Sequence, residues 1–528
     1  MSDPTQGSRR LALPLACVAL FLVLGAVNLA HHEMWRDELQ HWTIARLSRT
    51  PMELYRNTRY EGTPLLWQSC LMLITRFTGS PVAMQVLSLA VAAGAVAIFA
   101  FASPFNALQK LLFSASYFPL YEYSAISRPY GMGMAALLLF CAGYPWTGRR
   151  RWLGVAGLAL LAHPSVYGVI VATAGAAAML AHHLAGREPT VRNEDATGGE
   201  RRGMMLALTV VAAAIVLAVV VLKPAPDYGI HHSWFKGLNI RNVYRGIHVG
   251  STPWRAIVPV PKMQNEFWNT NVLDTPGVEP ARVGVAGNLV QMALSVALMA
   301  GIWLAIRRHR AAVWLWSVAS AGLLLFFFLK KVGYLRHHGY LYLVALAAVW
   351  LVMAQWKRAG DPQPRMRRAV SLAVTIVLLL HVTTAAWAGV LEYRLPFSAS
   401  AQAAAWIESH GHDDDLLAGW YPAYGLTVAM RLDKPFYFAN KRGFYRFGIW
   451  DQRKFDVQPA DMPRIAGELQ AEHRRAVLLV MSEPLTGDDP TGRIEPLAQF
   501  TDTIEPTERY YLYRLPLAPA PRNANIAP

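Results

Sequence analysis

MMLALTVVAAAIVLAVVVL, residues 204–222, carries no charge and, apart from Thr209, no strongly hydrogen-bonding side chain. About 20 apolar residues cross the roughly 30 Å hydrocarbon core of a bilayer, so this run reads as a transmembrane helix. Similar runs recur along the 528-residue chain, which is 54% hydrophobic and 16% charged. Soluble domains carry about 25% charged residues. The stretches are too long and too apolar for a soluble core, and the class is a polytopic α-helical membrane protein.

The net charge of +16 does not require nucleic acid, because much of the excess lies in short loops, where Lys and Arg set orientation. Arg149–Arg151, Arg307–Arg310 and the basic stretch 357–368 are expected in the cytoplasm, as is the polar segment 186–202. Arg9-Arg10 before 11–30 looks like a signal sequence, but the apolar stretch is long and Asn28–His31 is a poor cleavage site. It reads as an uncleaved first helix with its basic end inside.

Working outward from these anchors predicts about eleven spans: 11–30, 81–102, 106–121, 130–146, 151–162, 166–184, 204–222, 283–306, 311–329, 339–356 and 369–391. Pro64–Phe77 is short, and counting it breaks the parity. It reads as a juxtamembrane helix at the outer face. Residues 1–391 then form the membrane module, with external loops 31–80 and 223–282, and residues 392–528 form a small extracytoplasmic α/β domain. In that tail, 400–409 and 464–473 have helical spacing, and 415–419, 476–481 and 510–515 read as strands. Cys17, Cys70 and Cys141 are far apart in apolar stretches and read as small core residues. His412–Asp415 reads as a solvated turn, His163-Pro164 as a capped helix break, and His231-His232 as a weaker signal still.

Several polar groups fall on the predicted outer face. Glu33–Leu39 (EMWRDEL) places Asp37 and Glu38 at the mouth of the first helix. Ionisable residues at a membrane edge are functional candidates by default. A helix over 35–47 puts His41 one turn from Asp37. The carboxylates read either as a general base with its neighbour or as ordinary partners of a helix dipole. Glu61-Gly62-Thr63-Pro64 opens the next helix, with Thr63 a candidate N-cap and Glu61 either a further site carboxylate or a dipole partner. Ser127–Tyr130 (SRPY) offers Arg128 for a phosphate or for an ion pair with Glu122. Lys330–His338 (KKVGYLRHH) puts cations against the positive-inside tendency, which suits a lipid phosphate or an interfacial anchor. His337 and His338 are adjacent and have no HxxxH spacing, so metal is the weaker reading.

Asp37-Glu38 in the first external loop, Glu61-Gly-Thr-Pro before the next helix, and Arg128-Pro129-Tyr130 after a Tyr/Ser-rich stretch together resemble the GT-C superfamily of membrane glycosyltransferases. The branch is that of protein O-mannosyltransferases and lipid A aminoarabinose transferases. The resemblance covers residues 10–185 and extends more loosely to Arg336–His338. It implies an inverting transferase of the cytoplasmic membrane, multi-pass, with its site on the extracytoplasmic side. The donor would be a polyprenyl-phosphate sugar and the acceptor a lipid, glycan or protein. Asp37 would match the catalytic base, with Glu38 assisting. His41, Glu61 and Tyr130 would lie on the acceptor or sugar. Thr63 stands where relatives often carry His or Lys, which moves phosphate binding to Arg128, Lys331, Arg336, His337 and His338. No metal ligand set is required, and a divalent metal has no support.

The competing class is a transporter or flippase for a polyprenyl-linked or anionic lipid. Such proteins more often show matched repeats with interrupted helices, and no such symmetry is visible in the sequence.

Overall fold

A computed structural model describes residues 4–185, 194–229, 240–276, 284–359, 364–421, 425–489 and 491–517. His231-His232, residues 186–193 of the polar segment and residues 518–528 of the Pro/Ala-rich end lie outside the described residues. The chain forms two compact units. One comprises Met1–His31, Ser48–Pro226 and His231–Tyr393, and the other His32–Leu47, Asp227–Ile230 and Arg394–Pro528.

The first unit is a helical bundle. Among the described residues, eight helices are long and apolar enough to cross a membrane: Leu11–His31, Val82–Ala102, Val166–Ala185, Gly198–Val221, Val285–Ile306, Arg310–Leu329, Leu335–Arg358 and Pro364–Arg394. Their outward positions are apolar, with Val23, Met205, Val216, Val296 and Leu372 exposed, the reverse of a soluble helix and the pattern a lipid solvent demands. Leu335–Arg358 is the innermost, 78% buried over its most apolar window against 22% for Gly198–Val221. Close approach to it depends on Gly339, where a Cβ would run into the Tyr123 hydroxyl and the Phe118 ring.

Three expected spans are shorter than a bilayer. Residues 106–121 become the helix Ala107–Ser114, closed by a reciprocal cap between Asn106 and Gln109, followed by a π-helix over Phe118–Ala125. Residues 130–146 and 151–162 become helices of 13 and 12 residues, about 20 Å long at 1.5 Å per residue. Apolar composition alone does not reveal where a helix stops. Interrupted backbone is tolerated at membrane depth where protein covers it, and every residue of the π-helix is buried. The 64–77 stretch holds a helix of only nine residues, Leu66–Ile74.

The segment 240–276 contains the helix Ile240–Ile257, locked by a buried ion pair between Arg255 and Asp274. Asp274 also accepts from Gln291 Nε2 at 2.9 Å and from the Asn271 amide at 2.8 Å.

The second unit carries one six-stranded sheet of order β3-β2-β1-β4-β6-β5. The strands are β1 Leu416–Gly419, β2 Phe436–Phe438, β3 Gly443–Tyr445, β4 Val477–Met481, β5 Glu495–Phe500 and β6 Tyr510–Leu515. β1 runs parallel to β2 and β4, and the other pairs are antiparallel. Helix Met462–His473 packs Met462, Ile465, Ala466 and Leu469 on Val477, Leu479 and Leu515. Asp415, at the expected turn, bonds Arg514 at 2.7 Å. Residues 227–229 join this unit by pairing with 450–452, through Gly229 N to Trp450 O and Gln452 N to Asp227 O, both 2.7 Å.

Replacing Asp274 by Leu leaves the Arg255 guanidinium buried without its carboxylate, and loss of one partner of a buried pair costs about 3–5 kcal/mol. Thermal unfolding of the detergent-solubilised protein is expected to show a lower midpoint for Asp274→Leu, recovered largely by the double variant with Arg255→Met. Equal midpoints for all three proteins would contradict the buried pairing.

Candidate active site

In the membrane unit the polar residues gather around the π-helix Phe118–Ala125 and the start of the innermost helix. The π-helix places Glu122 fully buried, where its Oε2 accepts from Tyr117 Oη at 2.6 Å and from Trp268 Nε1 at 3.1 Å. Tyr121 Oη donates to buried Glu392 at 2.7 Å, and Tyr123 Oη donates to the Arg336 carbonyl at 2.8 Å. Single-turn π geometry recurs at functional sites. Here it sends three successive polar residues, Tyr121, Glu122 and Tyr123, to three different partners.

Arg336 is buried, with its guanidinium over the rings of Trp268 at 5.3 Å and Tyr334 at 4.9 Å. Ring stacking uses the face of a guanidinium, while its N–H donors lie in the plane of the fork. Arg128 is 8% exposed and sits in the short turn before helix Tyr130–Ala142. Lys331 is exposed on the loop that precedes Arg336.

The histidine tautomers follow from their neighbours. His337 Nδ1 accepts from the Tyr334 amide at 2.8 Å, and its Nε2 lies 2.9 Å from Tyr130 Oη. A neutral imidazole has one donor and one acceptor, so Nε2–H donates to Tyr130 Oη, which accepts. His338 Nε2 is 2.8 Å from the Val332 carbonyl and is therefore also the protonated nitrogen. The loop turns at Gly333, with φ +83°, where a Cβ would also press on His337 Nδ1 at 2.8 Å. Of the expected residues, Tyr130 and His337 are thus in direct contact.

Glu61 is half-buried in the turn between helices Pro51–Thr58 and Leu66–Ile74. Thr63 does not cap the second of these, contrary to expectation. The cap position is Leu65, without a side-chain bond, because the helix begins only at Leu66 and Thr63 and Pro64 lie before it.

Asp37, Glu38 and His41 belong to the second unit, on the helix Arg36–Leu47. Glu38 is wholly buried. Its Oε2 accepts from the Trp35 amide at 3.1 Å and lies 3.0 Å from His32 Nε2, so it caps the helix from within. His41 is wholly buried as well. The Asp37 side chain is 24% exposed, with Oδ1 3.5 Å from Arg36 Nε. Of the two adjacent carboxylates, Asp37 is the one that reaches solvent.

Trp268, Tyr117, Tyr123 and Glu392 were not singled out from the sequence. A Glu and three Tyr within 117–123 of an otherwise apolar run are the one local signal that pointed there. Among the described residues, no group of three or more His, Cys, Asp or Glu side chains is arranged to hold a metal ion.

The tautomer assignment predicts that 15N NMR of histidine-labelled protein shows His337 and His338 as Nε2–H forms, each signal identified by its loss in the His→Asn variant. An Nδ1–H form of His337 would contradict the Tyr334–His337–Tyr130 arrangement.

Compared with solved structures, the chain is similar to ArnT from Cupriavidus metallidurans bound to undecaprenyl phosphate, with TM-score 0.47 and 12% identity over 96% of this chain and 99% of that one. It is similar to the same ArnT in the apo state, with TM-score 0.48 and 13% identity over the same shares. It is also similar to the arabinofuranosyltransferase AftD from Mycobacteria, with TM-score 0.39 and 13% identity over 96% of this chain and 40% of that one. No protein-family model matches the sequence, and comparison with curated proteins gives no match.

Proposed function

We propose that this protein transfers a sugar from a polyprenyl-phosphate donor to a lipid, glycan or protein acceptor at the outer face of the cytoplasmic membrane, with inversion. The observation that carries the reading is a pair of buried arginines, Arg128 and Arg336, within a bundle whose outer surface is apolar. Guanidinium in such surroundings is costly and marks functional sites, and its planar fork matches a phosphate. The lipid phosphate is an anion that such a bundle meets from the bilayer itself. The order of the Asp37, Glu61 and Arg128 motifs supports the same reaction class.

Asp37 acts as general base on the acceptor hydroxyl or amine. The acceptor oxygen or nitrogen forms a bond to the anomeric carbon from the face opposite the phosphate. The anomeric C–O bond breaks, its electron pair leaves on the phosphate, and Asp37 retains the acceptor proton. Arg128, Arg336 and Lys331 stabilise the charge that develops on the departing polyprenyl phosphate. Tyr130, held by His337, offers its hydroxyl as a hydrogen-bond donor to an oxygen of the sugar or acceptor and keeps its proton. Glu38 fixes the helix that carries Asp37, with His32 as its partner. Glu61 and His41 are assigned to the acceptor side.

In a deletion strain, mass spectrometry of lipid extracts is expected to reveal accumulation of one polyprenyl-phosphate sugar, which identifies the donor. Wild-type protein clears it. Asp37→Asn is expected to slow clearance about 100- to 10,000-fold, the range for loss of a general base, with normal protein level. Clearance by Asp37→Asn at the wild-type rate would remove Asp37 from the base role.

A further inference from the structure

The helix Arg36–Leu47 has 12 residues, a length at which an isolated helix is marginal in water. It is fastened along its whole length to the C-terminal domain of its own compact unit. At its entry, Arg431 Nη2 donates to Glu33 Oε2 at 2.8 Å and to the Met34 carbonyl at 3.0 Å. Arg431 is itself held by Ser400 Oγ at 2.8 Å. In the first turn, the Arg36 amide donates to Glu508 Oε1 at 3.3 Å. In the middle, Gln40 and Gly448 exchange two bonds, each 2.8 Å, with the Gln40 amide group donating to the Gly448 carbonyl and accepting from its N–H. In the last turn, Arg46 pairs with Asp433.

Glu508 is the most constrained of these contacts. It is fully buried. Its Oε2 accepts from Ser398 Oγ and Tyr510 Oη, both at 2.7 Å, and its Oε1 from Thr427 Oγ1 at 3.3 Å. Three hydroxyls from separate segments thus fix a carboxylate that accepts from a first-turn N–H at the positive end of the helix. The next residue is Asp37.

We infer that the C-terminal domain is the mount for the reacting carboxylate, with Glu508 and Gln40 as positioning residues that set Asp37 through the backbone of its helix. This rests on the proposed role of Asp37. It assigns the domain a part in the chemical step for every acceptor, whatever it adds to acceptor choice. Burial raises the Glu508 carboxyl above its ordinary value, and nearby Arg36 draws it back. A carboxylate kept at that cost is consistent with a fixed geometric duty.

The test uses full-length Gln40→Ala, which removes the Gly448 pairing without emptying the core, together with Glu508→Ala and the conservative Glu508→Gln. Amide hydrogen exchange in 36–47 is expected to rise about tenfold in Gln40→Ala and Glu508→Ala, with β1 and β4 unchanged in Gln40→Ala. With the polyprenyl-phosphate sugar extracted from the deletion strain, kcat is expected to fall about 10- to 100-fold at unchanged donor KM. Glu508→Gln, which keeps an acceptor for the Arg36 amide, is expected to recover most of the loss. Unchanged exchange in 36–47 in Gln40→Ala overturns the mount. Raised exchange with unchanged kcat overturns the positioning role. An active Asp37→Asn instead sinks the base assignment and leaves the exchange result standing, so the two failures are distinct.

Discussion

A guanidinium buried in a membrane bundle constrains everything around it. The charge cannot be shed, because arginine stays protonated in proteins, and lipid offers it no solvation. Arg336 is accommodated by aromatic faces, Trp268 and Tyr334, and those rings are held in turn. Trp268 donates to Glu122, Glu122 also takes the Tyr117 hydroxyl, and Tyr123 secures the Arg336 carbonyl. The π-helix exists where this network needs three consecutive side chains in different directions, and the innermost helix begins where its first turn presents Arg336, His337 and His338. Apolar periphery and polar interior are two consequences of one solvent.

The carboxylates divide by environment. Glu122 and Glu392 are buried acceptors for tyrosine hydroxyls, and Glu38 and Glu508 serve a helix N-terminus. Asp37 differs in being partly exposed and flanked by Arg36. Sequence adjacency made Asp37 and Glu38 look like one functional pair. Burial separates them into a partly exposed group, the one proposed as the base, and a buried group that caps the helix.

The membrane class was legible because the signal is composition: runs such as 204–222 need no neighbour to identify them. Helix length was less legible. The helix Tyr130–Ala142 is as apolar as true spans, yet ends before the expected Trp146, whereas Arg150–Leu161 has the short length expected of it. In the tail, β1, β4 and β6 were readable from continuous or alternating apolar residues. β2 and β3 have only three residues each, too few to carry a period, and β5 places Glu495, Pro496 and Gln499 in a strand whose partner supplies the regularity. The candidate site was read from the sequence as residue types, Asp37, Arg128 and Arg336, and not as partners. Nothing local to Arg36 announces a carboxylate at position 508, and nothing local to Arg336 announces Trp268.

The central claim is that buried arginines bind the phosphate of a membrane lipid. Native mass spectrometry of the purified protein with undecaprenyl phosphate and with uncharged undecaprenol tests it directly. The account predicts retention of the phosphate over the alcohol by wild-type protein, and loss of that preference in a folded Arg128→Gln/Arg336→Gln double variant. Equal retention of phosphate and alcohol by wild-type protein, or an undiminished phosphate preference in the double variant, would contradict it.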